Sequence, residues 1–246
     1  MKKNRILILG LTLMSLLGCT KNEVVTPDPV TKANIIGSVN LYDDRTTEIE
    51  NSGMKIIVEG VTPELSTTTD ANGDFTLQDV PFGTYNLTFD KTGYGTFRYL
   101  NLVHSNTGSS TIIPTTFSLG QFSTTHVTLL EVNISGNDVS ILATTDPGGN
   151  SNHRRYLRFF YHTESNVSDD NYTKFSEVLI SQDNPYEQIL SQTDLSNLGF
   201  ASGATVYIKV YGDSFWSNDY IDPNSFKRIF PNLNVNSANA VSFVVP

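Results

Sequence analysis

The sequence predicts an all-β protein: two β-sandwiches in tandem, preceded by an N-terminal leader and a short tether. Three observations predict this. From about residue 33 onward, apolar and aromatic residues mostly alternate with Thr, Ser and Asn, the period of a half-buried strand. Clusters of Gly, Asn and Asp interrupt that alternation about every 8 to 12 residues, as turns between short antiparallel strands do. Helical periodicity is absent except from Asn184 to Leu198, where one short helix fits.

The chain begins with Lys2, Lys3 and Arg5, then the mostly apolar run Ile6 to Leu17, then small Gly18 and Cys19, the only cysteine. The apolar run is shorter than the roughly 20 residues a bilayer span needs. Leu16, Leu17, Gly18 and Cys19 resemble the lipobox of bacterial lipoproteins. The resemblance implies that residues 1–18 are a lipoprotein signal peptide, and that Cys19 becomes the N-terminus and carries the lipid. Three acyl chains hold a protein to a membrane durably, whereas one does so only marginally. An ordinary secretory leader with an incidental cysteine is the plainer alternative. Residues 19–32, polar and centred on Pro27, Asp28 and Pro29, read as a lipidated tether that reaches about 40 Å when extended. Thr20, Lys21, Asn22 and Glu23 partly resemble signals that send some Gram-negative lipoproteins to the outer face, without the second acidic residue. The expected location is therefore the outer membrane, facing outward, with the periplasmic face as the alternative.

The formal charge is −9, and loss of the leader's three basic residues takes it to −12. Such a surface repels nucleic acid and anionic headgroups, so no nucleic-acid partner is expected and the lipid is the membrane contact. One cysteine excludes an internal disulfide, so stability must come from the cores.

In the first module, residues 33–119, the strands follow from alternation: Val39 and Leu41; Met54, Ile56 and Val58; Phe75 and Leu77; Tyr85, Leu87 and Phe89; and Ile113, Phe117 and Leu119. Each set shares one face. Between them lie Thr68-Thr69-Asp70-Ala71-Asn72-Gly73-Asp74-Phe75, then Val80-Pro81-Phe82-Gly83-Thr84-Tyr85, with Gly93-Tyr94 closing the run. This order resembles the carboxypeptidase regulatory-like domain, which implies a seven-stranded, transthyretin-like sandwich with no catalytic residues of its own. Asp70, Asn72 and Asp74 are spaced like the first ligands of a calcium loop, but Pro81 stands where an EF-hand wants its bidentate glutamate. A hairpin turn at Asn72-Gly73 is the reading kept, with no metal. The related pilin-type domains crosslink a strand lysine. Lys55 lies near that place, but it points away from the apolar face, and Phe89 occupies the position of the assisting glutamate.

In the second module, residues 121–246, the strands read as Leu130, Val132 and Ile134; Val139, Ile141 and Ala143; Leu157, Phe159 and Tyr161; Val206, Ile208 and Val210; and Val241, Phe243 and Val245. Asp194 to Leu198, through Gly203 to Val210, resembles the corresponding region of fibronectin type III and immunoglobulin-like sandwiches. Val206 stands where that fold usually places a tyrosine.

The longest connection, Asp213 to Asn239, carries Phe215, Trp216, Tyr220, Phe226 and Phe230 among Asp213, Asn218, Asp219, Asp222 and Asn224. Aromatic rings beside carboxylates and carboxamides suit sugars, because rings stack on the C–H faces of pyranoses while polar groups bond the hydroxyls. Phe215, Trp216, Asp219, Tyr220 and Asp222 are the candidate ligand-binding residues. The plainer reading is that these rings seal the sandwich end or pack on the first module. His153, Arg154 and Arg155 form a small basic cluster that reads first as a solvated strand entrance, and as a grip for an acidic sugar or a partner's carboxylate second.

No catalytic constellation is legible. His104, His126, His153 and His162 lack ligand spacing, Gly-x-Ser-x-Gly is absent, and Cys19 is consumed by lipid. The reading is a non-enzymatic outer-membrane lipoprotein without cofactor, acting as a binding module for a polysaccharide. The alternative is a structural or assembly component of a cell-surface complex or fimbria-like polymer that contacts surface proteins.

Overall fold

A computed structural model describes residues 30–246. The leader, Cys19 and the tether up to residue 29 lie outside the described residues. Among the described residues the fold is all-β apart from one short helix.

The first module contains β1 (Lys32–Tyr42), β2 (Lys55–Val58), β3 (Leu65–Thr68), β4 (Asp74–Pro81), β5 (Gly83–Asp90), β6 (Phe97–His104) and β7 (Thr111–Gly120). One sheet has the order β4, β1, β7 and the other β3, β2, β5, β6. β1 runs antiparallel to β4 and parallel to β7. The alternating residues of these strands, among them Val39, Leu41, Ile56, Val58, Phe75, Leu77, Leu87 and Phe89, close on one core. β3 and β6 are absent from the alternation reading for a physical reason. β3 is Leu-Ser-Thr-Thr, with a single apolar residue, and β6 is an edge strand whose inward set shifts from Phe97 and Tyr99 to Leu102 and His104 across a bulge at Asn101, at φ 57°.

The Asp70 turn is held by its own carboxylate, which accepts the N–H groups of Asn72 (2.9 Å) and Asp74 (3.0 Å). Gly73 sits at φ +85°, and a Cβ there would stand 2.0 Å from the Val39 carbonyl oxygen. Only glycine fits this turn. Lys55 points out of the core and donates to Glu64 at 2.8 Å.

The second module contains β8 (His126–Ser135), β9 (Asp138–Asp146), β10 (Arg155–His162), β11 (Lys174–Phe175), β12 (Leu179–Ser181), β13 (Tyr186–Leu190), α1 (Gln192–Asn197), β14 (Thr205–Asp213), β15 (Tyr220–Ile221), β16 (Arg228–Ile229) and β17 (Val241–Val244). One sheet has the order β13, β9, β8. The other runs β10, β14, β17, with β11 and β12 pairing successive parts of β10. The predicted inward residues form the core, except that Ile134, at the hairpin end of β8, is exposed.

The stretch expected to be helical divides in two. Tyr186–Leu190 pairs with β9 as a strand, and the helix starts only where Ser191 caps it. The Ser191 hydroxyl accepts from the Asp194 N–H, and the Asp194 carboxylate accepts from the Ser191 N–H at 2.9 Å. This reciprocal box supplies the start signal.

The β10–β14 sheet is covered on both faces. Besides the main core, Phe160, Val167, Tyr211, Phe230 and Leu233 form a second cluster under the β14–β17 connection. The near-continuous apolar run Tyr156 to Tyr161 carries that signal, since a strand buried on both sides loses its alternation.

Candidate functional site

The β14–β17 connection folds back onto the first module, and the reason lies in its carboxamides. Asn218, at φ 54°, is buried at the junction. Its Nδ2 donates to the carbonyls of Gly95 and Gly120, both at 3.0 Å, and its Oδ1 accepts the Gly120 N–H at 2.9 Å. Asn232, fully buried, repeats the pattern: Oδ1 accepts the Gly95 N–H at 2.8 Å, and Nδ2 donates to Gly120 O (3.0 Å) and Trp216 O (2.7 Å). Gly120 permits this approach, because a Cβ there would stand 2.4 Å from the Trp216 carbonyl oxygen. Asp44 adds a further tie: its carboxylate accepts the Thr124 N–H (2.9 Å) and hydroxyl (2.6 Å), and its carbonyl accepts the Phe215 N–H (3.2 Å). Buried polar groups satisfied this completely specify one arrangement.

Trp216 is thereby wedged, half-buried, against Tyr42, with ring centroids 5.2 Å apart. Its Nε1 is shielded from solvent and has no partner among the described residues. Phe215 stands edge-on to Trp216 at 4.9 Å and to Tyr156 at 5.5 Å, and is 37% exposed. Beside them opens a cleft of about 220 Å³, lined by Phe97 and Phe117 of the first module and by Phe215, Trp216, Ser217 and Asp219 of the second. Phe97 and Phe117 touch at 5.2 Å. Asp219 accepts from Arg228 at 3.0 Å, with Arg158 a further 3.9 Å contact.

Three of the five residues singled out from the sequence, Phe215, Trp216 and Asp219, thus meet in one cleft. The other two lie at a second contact between the modules. Tyr220 carries the Arg98 guanidinium over its ring at 5.8 Å. Asp222 caps its own turn through the N–H groups of Asn224 (3.0 Å) and Ser225 (2.8 Å) and meets Arg98 at 3.5 Å. These bonds hold its carboxyl below the usual aspartate range, the Ser225 N–H foremost. Arg98 is anchored in turn by Glu59, at 2.6 and 2.7 Å. That pairing holds the Glu59 carboxyl below its ordinary value.

Phe97, Phe117, Gly95 and Gly120 were not legible as site residues. They lie about 100 or more residues from the loop they meet, and alternation within a strand carries no information about such partners. Behind the cleft, Arg158 and Asp213 form a buried ion pair at 2.6 Å, 1% and 0% exposed. The four histidines are dispersed, and His104 is held between Thr111 Oγ1 (2.7 Å) and Val80 O (3.1 Å). Among the described residues, no group of three His, Cys, Asp or Glu side chains converges as metal ligands would.

Comparison with protein families matches residues 43–130 to the carboxypeptidase regulatory-like domain, bearing out the resemblance read from the Thr68 to Tyr94 motif. Comparison with curated proteins returns no match. Among solved structures, the chain is similar to a Bacteroides uniformis ATCC 8492 protein provisionally named as carbohydrate binding. The identity is 16%, with 87% of this chain and 99% of that one covered and a TM-score of 0.31. It is also similar to a DUF3823 family protein from the same strain, at 12% identity over 87% of this chain and 100% of that one, TM-score 0.28. A segment of two fibronectin type III domains from chicken tenascin aligns at 10% identity over 81% of this chain and 86% of that one, TM-score 0.22.

Proposed function

We propose that this protein is a non-enzymatic binding module, held at the outer membrane by lipid on Cys19, that takes glycan chains in the aromatic cleft between its sandwiches. The observation that carries the reading is the exposed edge of Phe215 on a cleft whose other walls, Phe97, Phe117 and Trp216, are also aromatic. The Asp219 carboxylate and the Ser118 and Ser217 hydroxyls lie beside those rings, where sugar hydroxyls would need partners. The polar latch formed by Asn218, Asn232 and Asp44 fixes the rings before a ligand arrives, which lowers the ordering cost of binding. A hollow of about 220 Å³ is shallow, suited to an extended chain rather than an enclosed small molecule. Display of many copies on a surface would raise a weak affinity per site.

The test is a titration of the full chain, in detergent micelles, against a panel of neutral and acidic polysaccharides, with Phe215→Ala alongside. Saturable binding weakened about 3- to 10-fold by Phe215→Ala is expected, the value of one aromatic stacking contact. Absence of binding across the panel refutes the reading.

A second reading, the structural or assembly component, is favoured by β8. From Leu129 to Ser135 this strand pairs only with β9 among the described residues, and Leu129 and Ile134 are exposed on it. A free edge accepts a partner strand. Loss of a co-purifying surface complex in Leu129→Lys, with sugar binding absent in both forms, would select this reading.

A further inference from the structure

A second hollow, of about 350 Å³, has Tyr156 in its wall, the residue whose ring touches Phe215. It is polar, and both modules build it. The β1–β2 connection contributes Arg45, Thr46 and Thr47, and the β9–β10 connection contributes Ser151, Asn152 and Arg154, with Tyr156 at the start of β10. Tyr156 in the wall of this hollow touches Phe215 in the wall of the aromatic cleft, at 5.5 Å between ring centroids, so a single ring contact links the two hollows.

Both loops are held in shape by their own side chains. Asp43 Oδ1 accepts the N–H groups of Arg45 (2.9 Å) and Thr47 (3.0 Å). Asn150 Oδ1 accepts those of Asn152 (3.0 Å) and His153 (2.9 Å). The donors they present are incompletely used. Arg154 is exposed and makes no ion pair among the described residues. Arg45 is 39% exposed, meets Asp43 Oδ2 at 3.3 Å and Asp44 Oδ1 at 3.9 Å, and its Nε is shielded from solvent without a hydrogen-bond partner. Asp43 and Asp44 temper the pull of Arg45. Of the two arginines, Arg154 is the one that lines the hollow without an ion pair among the described residues. In a chain of net charge −9, an arginine without an ion pair lining a hollow that also holds Arg45 and hydroxyl and amide donors is a local exception. Guanidinium groups suit planar carboxylates and tetrahedral sulfates because they offer several donors in a fixed fork.

We propose that this hollow receives the acidic group, a carboxylate or a sulfate, of the glycan chain whose neighbouring residues lie against Phe215 and Trp216. The inference rests on the glycan reading and adds the substrate class: an anionic polysaccharide, gripped by Arg45 from one module and Arg154 from the other.

The experiment measures binding of the full chain in detergent micelles to polygalacturonate, dextran sulfate, unsubstituted dextran and poly-L-glutamate, at low and high salt. Variants Arg45→Gln, Arg154→Gln and Phe215→Ala run in parallel, each checked for an unchanged thermal transition. The expected result is tighter binding of polygalacturonate or dextran sulfate than of dextran, weakened by salt. Each arginine substitution should lower the affinity for the acidic polymer about fivefold, as for a partly exposed ion pair, and leave dextran unaffected. Which acidic polymer binds distinguishes carboxylate from sulfate. Equal binding of dextran and the acidic polymers, sensitive to Phe215→Ala but not to the arginine variants, overturns this inference and leaves the glycan reading standing. Poly-L-glutamate binding as tightly as the acidic polysaccharides overturns the saccharide assignment in favour of an acidic peptide. No binding to any polymer overturns both.

Discussion

Arg158 is the largest fully buried side chain among the described residues, and its position is defined on every side. Nε donates to Asp213 at 2.6 Å, Nη1 donates to Ser176 O at 3.0 Å, and the guanidinium lies 4.5 Å from the Phe230 ring centroid. Asp213 in turn accepts the Ser214 N–H at 2.8 Å. Removing one member of such a pair leaves a buried charge without compensation, so Arg158→Met should cost about 3–5 kcal/mol in urea denaturation at neutral pH. The double variant Arg158→Met, Asp213→Leu should recover most of that loss. The pH dependence has a definite sign. Burial pushes the Asp213 carboxyl up to about 6, against the pull of Arg158, whereas an unfolded aspartate titrates near about 3.9. Without Arg158 the folded-state value rises further. The folded variant then holds a proton that the unfolded chain releases. Its stability is fully present below the unfolded value and is lost as pH rises through the raised folded one. The Arg158→Met penalty, taken as the difference from wild type, should therefore be smallest near pH 5 and grow above about pH 6. A penalty that does not change with pH would mean that the carboxylate finds another partner.

At the scale of elements, the β14–β17 connection does two jobs that its composition did not separate. Its aromatic and acidic residues were legible as a group suited to sugars, and the fold gives Phe215, Trp216 and Asp219 a shared cleft. Asn218, from the same polar set, faces inward and ties the connection to Gly95 and Gly120. Nothing in the local sequence distinguishes a carboxamide that meets solvent from one that meets a backbone 98 or 123 residues away. Asn218→Ala should destabilise by about 2–4 kcal/mol, because it strands the Gly120 N–H and the Gly95 carbonyl and forces alanine into a left-handed conformation. Asn218→Gly should cost less, since glycine accepts φ 54° without strain. Equal losses in the two variants, compared by chemical denaturation, would show that the backbone conformation contributes nothing.

At the scale of the whole molecule, the two sandwiches are coupled through a satisfied polar latch, the tilted Tyr42–Trp216 ring pair and the Arg98–Asp222 contact. Calorimetry of the intact chain should therefore record one cooperative transition. Gly120→Ala, which places a methyl group against the Trp216 backbone, should divide it into two. A single unchanged transition in that variant would mean that the latch does not couple the modules. The all-β class, the inward face of most strands, the turn at Asp70 to Asp74 and the carboxypeptidase regulatory-like motif were legible in the residues alone. Each is written in neighbouring residues, through a period of two, a turn that demands glycine or a short motif. That β10 is buried on both faces, that the 213–239 connection docks on the first module, and that Arg45 and Arg154 share one hollow came from the packed fold. Those features join residues far apart in the chain, and they follow from which surfaces remain to be covered once both sandwiches have formed, a condition that no local pattern encodes.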